Sequence, residues 1–189
     1  MSVEGGLTRV PPGQVIAQHW PVLHHGTVPL GPDPWHLRLW GAVAAERTLS
    51  LDALASLGRA EVTADVHCVS GWSLLDNTWQ GIPFARLEAL AGPLPEAAFL
   101  MAHAAGGWTT NLSLQDLRLP GVAVIWARNG EPLTAEHGGP LRLLVPHLYF
   151  WKSAKWLVGL EWMVTDRPGF WEKDTPYTTL DPWHAVRSS

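Results

Sequence analysis

Asn129-Gly130-Glu131-Pro132-Leu133-Thr134-Ala135-Glu136-His137-Gly138-Gly139-Pro140-Leu141-Arg142-Leu143-Leu144-Val145-Pro146, followed shortly by Lys152-Ser153-Ala154-Lys155-Trp156-Leu157, is the stretch on which the reading of this chain turns. Asn129-Gly130 predicts a tight turn, because both positions tolerate positive φ. Apolar runs flank it, Val122–Ala127 before and Leu141–Val145 after, and each reads as a strand. His137, Arg142, Lys152, Ser153 and Lys155 then gather cationic and hydrogen-bonding groups, beside glycines that let backbone approach a ligand closely. Arg supplies a planar fork for a phosphate, Lys a point charge, and Ser153 with neighbouring N–H groups further donors. In a chain of net charge −4 this local positive excess points to an anion or phosphate pocket. A solvated hairpin with ordinary basic side chains is the alternative, and composition does not separate the two.

Outward from this stretch, 16 prolines and 18 glycines cut the chain into short segments, a pattern that favours strands and loops over long helices. Further strand-like runs stand at His36–Trp40, Glu61–Val69, Ala98–His103 and Lys155–Val164, several alternating apolar with polar. Pro11–Pro34 reads as an extended, turn-rich arm. Two short helices are expected. Thr48–Leu57 has Ser50 as a candidate N-cap, and Pro83–Leu90 starts on a proline and stops near Gly92. The tail from Asp166 onward is expected to pack back over the body, because its aromatics would otherwise be exposed. No repeat or charge run marks a second domain, so residues 1–189 are read as one domain, mixed α+β and mostly β.

Apolar residues make up 47% of the 189 and charged residues 16%, enough for a sizeable core and incompatible with wholesale disorder. The negative net charge argues against a basic nucleic-acid surface or a polybasic membrane anchor. No apolar run approaches the roughly 18 to 20 residues that span a bilayer. The first residues, MSVEGGLTRVPPGQVIAQHW, hold neither a basic region followed by an apolar one nor a twin-arginine pair. The expectation is a cytoplasmic protein that binds neither nucleic acid nor membrane.

Cys68 is the only cysteine, which excludes an intramolecular disulfide, a CxxC pair and every multi-cysteine metal module. A lone cysteine is most often an inert, buried small hydrophobe. This one stands in Asp65-Val66-His67-Cys68-Val69-Ser70-Gly71-Trp72-Ser73, at the end of a strand where Ser70-Gly71 turns the chain, a place where a thiolate can face a cleft. His67 is poorly placed to activate it, since neighbours on a strand point to opposite faces, so a metal-free cysteine hydrolase is a weak reading. His19, His24 and His25 match no zinc spacing. No dinucleotide fingerprint, P-loop or nucleophile elbow is present.

The run His67-Cys68-Val69-Ser70-Gly71-Trp72-Ser73 resembles the molybdenum-ligand segment of the sulfite oxidase superfamily, especially its bacterial members. The Asn129–Leu157 stretch is similar to that superfamily's molybdopterin-binding region, and Trp108-Thr109-Thr110-Asn111 to a Gly-Tyr-Thr-Thr-Asn element of short bacterial members. The likeness runs from about Pro21 to Trp183, with the motifs in the right order. It implies a single oxidoreductase molybdopterin-binding domain, without the haem and dimerisation domains of animal sulfite oxidases. It implies one molybdopterin carrying molybdenum, with Cys68 as the thiolate ligand to the metal and so the catalytic residue. His137, Arg142, Ser153, Ala154 and Lys155 fall where the family grips the pterin and its phosphate. His103 falls where a pterin-contacting threonine sits in the periplasmic methionine-sulfoxide reductases. His24 and His25 lie in the N-terminal segment that closes over the cofactor.

Departures from the family bear on substrate. Of the arginines that sulfite oxidases present to sulfite, the one five residues past the ligand cysteine is Ser73 here, and the N-terminal one is Leu23 or a neighbouring His. Two lost cations should weaken binding of a doubly charged anion severely. The resemblance therefore implies two-electron oxygen-atom transfer on a small sulfur- or nitrogen-centred substrate, a sulfoxide or N-oxide rather than sulfite, with an electron partner that the sequence leaves unidentified. The alternative is a protein that holds or passes on the molybdenum cofactor without turnover.

Overall fold

A strand inside a sheet with both faces covered is apolar along most of its length, and β13 (Leu157–Met163) is such a strand, with Leu157, Leu160, Trp162 and Met163 buried. In this computed structural model, which describes residues 9–174 and 180–184, it pairs in parallel with β2 (His36–Gly41) and antiparallel with β8 (Phe99–Ala104). β3 (Arg47–Ser50) and β9 (Thr109–Ser113) complete a five-stranded sheet of order β3-β2-β13-β8-β9. Alternation along β2 sets its faces: Leu37 and Leu39 are fully buried, while His36 and Arg38 point to solvent.

A second sheet runs β11 (Glu131–Pro132), β10 (Ala123–Arg128), β7 (Thr78–Pro83), β4 (Ala60–Thr63), with β12 (Arg142–Leu144) also pairing to β10. Its central strand is buried on both faces. Val124 joins the main core with Ile82 and Leu143, while Ala123 and Ile125 join a second cluster with Val66, Leu74, Trp79, Leu144 and Phe150. That second cluster lies beneath a small third sheet, β1 (Val15–Ile16), β6 (Trp72–Leu74), β5 (Val66–His67), whose last strand delivers Cys68. The architecture is mostly β with short helices and mixed sheets, as expected.

Helix α1 (Leu51–Ser56) is capped by Ser50, whose Oγ accepts from the Ala53 N–H at 3.1 Å. The expected helix began at Thr48, but residues 47–50 are drawn into the ladder with β2 and the helix starts only after its cap. Helix α2 (Phe84–Ala91) starts directly after Pro83 and ends at Gly92, which is left-handed at φ 60°. Asn129 and Gly130 form the expected turn, both at positive φ, and Arg128 pairs with Glu131 across it. Two further short helices, α3 (Leu114–Leu117) and α4 (Phe170–Asp174), come from segments that the sequence reading left without helix.

One expected strand is two. Glu61–Val69 divides into β4 and β5, which belong to different sheets. The Ala64 carbonyl is taken by Trp79 Nε1 at 3.0 Å, and the Asp65 carboxylate by Arg9 and by the Asp76 N–H. The chain bends there into β5, which buries His67 and leads to the half-buried Cys68. The described part of the tail packs back as expected, with Phe170 and Trp171 of α4 on His25 and Leu180 against the main core, while residues 175–179 and 185–189 lie outside the described residues.

Candidate active site

A cleft of about 500 Å³ opens between the Cys68 turn, the N-terminal arm, the Gly106-Gly107 turn after β8, and the segment from Phe150 to Trp156. Cys68 is half-buried on its floor. Its N–H donates to the Trp72 carbonyl at 2.8 Å, and its carbonyl accepts from Gly71 N–H at 3.0 Å, closing a tight turn with Gly71 at φ 99°. Ser70 Oγ donates to Cys68 Sγ at 3.1 Å. Ser73, five residues past Cys68, is fully buried and faces the other way, hydrogen-bonded to His67 Nδ1 and Gln14 Oε1.

Arg142 and Lys155 bring positive charge to this cleft, and no carboxylate pairs with either among the described residues. Arg142 lies over the Phe150 ring at 3.9 Å and donates to the His137 carbonyl at 2.9 Å, while its Nε is buried with no partner. Burial pushes this guanidinium down to about 9, against which only the Cys68 charge pulls. Lys155 Nζ donates to the carbonyls of Leu23 and Glu136, both at 2.7 Å. Burial and then the Arg142 charge push it down to about 7. Two desolvated cations that meet carbonyl oxygens and ring faces but pair with no carboxylate attract an anion.

The glycines of the His137-Gly138-Gly139 run serve packing rather than a ligand. A Cβ at Gly138 would stand 2.7 Å from Lys155 Cβ, and one at Gly139 would stand 2.2 Å from the Leu133 carbonyl. Their absence lets this loop lie against Lys155, so that the Glu136 carbonyl reaches its Nζ and the Ala135 carbonyl accepts from Trp156 Nε1 at 2.7 Å.

The residues marked from sequence fall into three groups. Cys68, Arg142, Ser153, Lys155, His24 and His25 line the cleft together. His137 and Ala154 support it from behind. His137 stacks on Trp20 with ring centroids 4.0 Å apart, and Ala154 is fully buried in the main core with its carbonyl holding Leu143 N–H. His103 is not brought to the cleft. Leu100 and Ala102 turn from β8 into the core, so His103 points to the opposite face and bonds Glu161 in a separate recess. Trp156 and the Phe170-Trp171 doublet line the cleft without having been singled out; an aromatic pair in a tail expected to fold back was the available signal.

The donors present restrict what can bind. Arg142 and Lys155 favour an anionic occupant. If it carries a metal it has to bring most of the metal's donors, since no group of three or more His, Cys, Asp or Glu suited to a metal exists among the described residues. A phosphorylated cofactor with its own sulfur donors, leaving one position for a protein thiolate, meets these conditions.

Residues 25–171 match the family model of the oxidoreductase molybdopterin binding domain. The chain belongs to this family. It is an oxidoreductase with a molybdopterin-binding domain of the sulfite oxidase type. It is 46% identical over 181 residues, 95% of this chain and 91% of the relative, to the oxidoreductase YuiH of Bacillus subtilis. It is 26% identical over 183 residues to the protein-methionine-sulfoxide reductase catalytic subunit MsrP of Ralstonia nicotianae, covering 86% of this chain and 54% of that protein. The chain thus spans about half the length of that relative. The sulfane dehydrogenase SoxCD of Paracoccus pantotrophus shares the fold, with a TM-score of 0.68 at 23% identity over 75% of this chain and 41% of that one.

Proposed function

We propose that this family member carries a molybdenum–molybdopterin cofactor in the Cys68 cleft and catalyses two-electron oxygen-atom transfer on a small sulfoxide or N-oxide. The observation that carries the reading is the pair of uncompensated cations, Arg142 and Lys155, in the same cleft as the single thiol. Arg142 and Lys155 would hold the anionic end of the cofactor, with Ser153 beside them, and Cys68 would supply the protein's thiolate to the metal. Bound there, the cofactor supplies a two-electron redox centre competent for oxygen-atom transfer. The chain's own residues then grip it, exclude water and shape the space left for substrate.

That space favours a neutral substrate. Among the described residues Arg142 and Lys155 are the only Arg or Lys side chains lining the cleft, and both are committed to the cofactor in this reading. Beside His24 and His25 the remaining wall is largely aromatic, with Trp108, Trp151, Trp171 and Phe170, and Ser73 is sealed in the interior, so among the described residues no further Arg or Lys is left to neutralise a sulfite dianion. No helix among the described residues is long and apolar enough to cross a membrane, and a cytoplasmic location belongs to the same proposal.

The deciding experiment is elemental analysis with a pterin assay on protein from a host that makes the cofactor, followed by dithionite reduction and reoxidation with candidate oxides. Near-stoichiometric molybdenum and pterin with catalytic reoxidation by a sulfoxide or N-oxide is the expected result. Stoichiometric reoxidation alone would identify a carrier. Metal-free, pterin-free protein from a competent host would sink the reading.

A further inference from the structure

The lysines of Lys152-Ser153-Ala154-Lys155 serve opposite ends. Lys155 enters the cleft, whereas Lys152 turns away from it and is only 2% exposed. Its Nζ donates to the Asn111 carbonyl at 2.6 Å, to Asn111 Oδ1 at 3.0 Å, and to the Glu172 carboxylate. Thr110 Oγ1 donates to the same carboxylate oxygen at 3.1 Å. Glu172 belongs to α4, whose Phe170 and Trp171 line the cleft, and Lys152 ends the short 3-10 helix whose Phe150 and Trp151 line it too. One buried ion pair therefore joins two elements that both present aromatic rings to the same space.

Helix α4 is too short to hold itself in water, and residues 164–168 before it are exposed. What seats it is this contact with β9. A Cβ at Gly169 would stand 2.6 Å from Glu172 Oε2, 2.7 Å from the Thr109 carbonyl oxygen and 2.7 Å from Thr110 Cα, so the start of α4 lies flush against the strand. From there Phe170 and Trp171 pack on His25, with ring centroids 5.4 and 5.6 Å away, and meet the N-terminal arm. The family match ends at residue 171, so Glu172 lies just beyond the shared segment.

We propose that the Lys152–Glu172 pair is a positioning device that fixes α4 as the outer wall of the cleft, and that Trp171 on this wall sets the upper size limit of the substrate. The pair touches neither the cleft interior nor the reacting atoms; it acts through the placement of Trp171 and Phe170. The inference rests on the proposed function only in taking the cleft as the substrate's site. Its test is independent of turnover and of metal.

Cys68, being the only thiol, reports access to the cleft floor. In cofactor-free full-length protein, its alkylation is timed with iodoacetamide and with a bulky fluorescein maleimide. Trp171→Ala and Glu172→Gln are expected to raise the maleimide rate about tenfold while iodoacetamide changes less than about twofold. Trp171→Phe should restore most of the size discrimination. Gly169→Ala, which pushes α4 from β9 without touching a charge, should act in the same direction and decides the matter if Glu172→Gln fails to fold. An unchanged ratio of the two rates in Trp171→Ala or Gly169→Ala overturns the proposal, as does an equal rise with both reagents. Absence of molybdenum would overturn the proposed function and leave these rates as they are.

Discussion

Two hollows of similar size flank the turn after β8, the cleft of about 500 Å³ and the recess of about 450 Å³ that holds His103, and both are lined by Arg, His and Trp. They differ in how charge is answered. Around the recess, Arg38 lies 3.1 Å from Glu46, and Glu161 takes His103 at 2.9 Å and Arg167 at 2.6 Å. In the cleft, Arg142 and Lys155 meet carbonyl oxygens and aromatic rings, and no carboxylate pairs with either among the described residues. Residue types do not separate a functional hollow from an ordinary one here; electrostatic compensation does. A folded chain leaves buried cations unanswered at a cost in stability, and a bound anion is what offsets it.

The strongest way to break the comparison is at the thiol. Cys68→Ser should lower turnover by at least about a hundredfold, the upper end for changes one layer further from a metal, while circular dichroism and Tm stay near the parent's. Full activity in that variant would remove Cys68 from the metal. Next in size, Arg142→Met should cut cofactor retention by about 10- to 100-fold, the worth of one or two charge-assisted hydrogen bonds. The same variant should raise the Tm of the cofactor-free protein, because a fully buried, unpaired charge is gone. Equal molybdenum loading in variant and parent would contradict the grip assigned to Arg142.

A smaller effect follows from Lys155. Its folded value of about 7 lies below the ordinary 10.5, so between those values the unfolded chain binds a proton that the folded chain does not. Stability of the cofactor-free protein therefore rises as pH goes from about 7 towards about 10, and the penalty is fully present below about 7. Arg142 pushes in this direction, while Cys68 and Glu136 oppose it. Lys155→Met should flatten that rise in denaturant titrations across the range. Smallest of all, His103→Ala should leave molybdenum content within about twofold and cost no more than about 1 kcal/mol, the scale of a partly exposed ion pair. A large loss of cofactor there would mean that the recess and the cleft are one site.

Much of this could be read from sequence, and the failures have identifiable causes. The strands β2, β8, β10 and β13 carry apolar patterns that a covered sheet demands, and Ser50 and Gly92 mark the helix ends they occupy. The bend at Ala64 was hidden because its cause is remote: the side chains of Trp79 and Asn77 take the Ala64 carbonyl, and Arg9 holds the Asp65 carboxylate beside it. β7 was missed because Gly81 and Pro83 read as breakers. Gly81 is in fact required, since a Cβ there would stand 2.1 Å from the Val124 carbonyl. At the site, Cys68, Arg142 and Lys155 were legible through their motifs. The role of His137 was less so, because its carbonyl, rather than its ring, holds Arg142.

The lip of the cleft also fixes an order of events during synthesis. Trp20 meets His137 across 117 residues, and Leu23 meets Lys155 across 132. On the ribosome the arm emerges long before either partner exists, so it can close only after His137 and Lys155 have been made. The hairpin that carries Cys68 is local, since β5 and β6 pair across a few residues, although the cluster beneath it also takes Ala123, Ile125, Leu144 and Phe150. The turn that presents the thiol is thus closed by near neighbours in the chain, while the lip over it depends on partners more than a hundred residues further along.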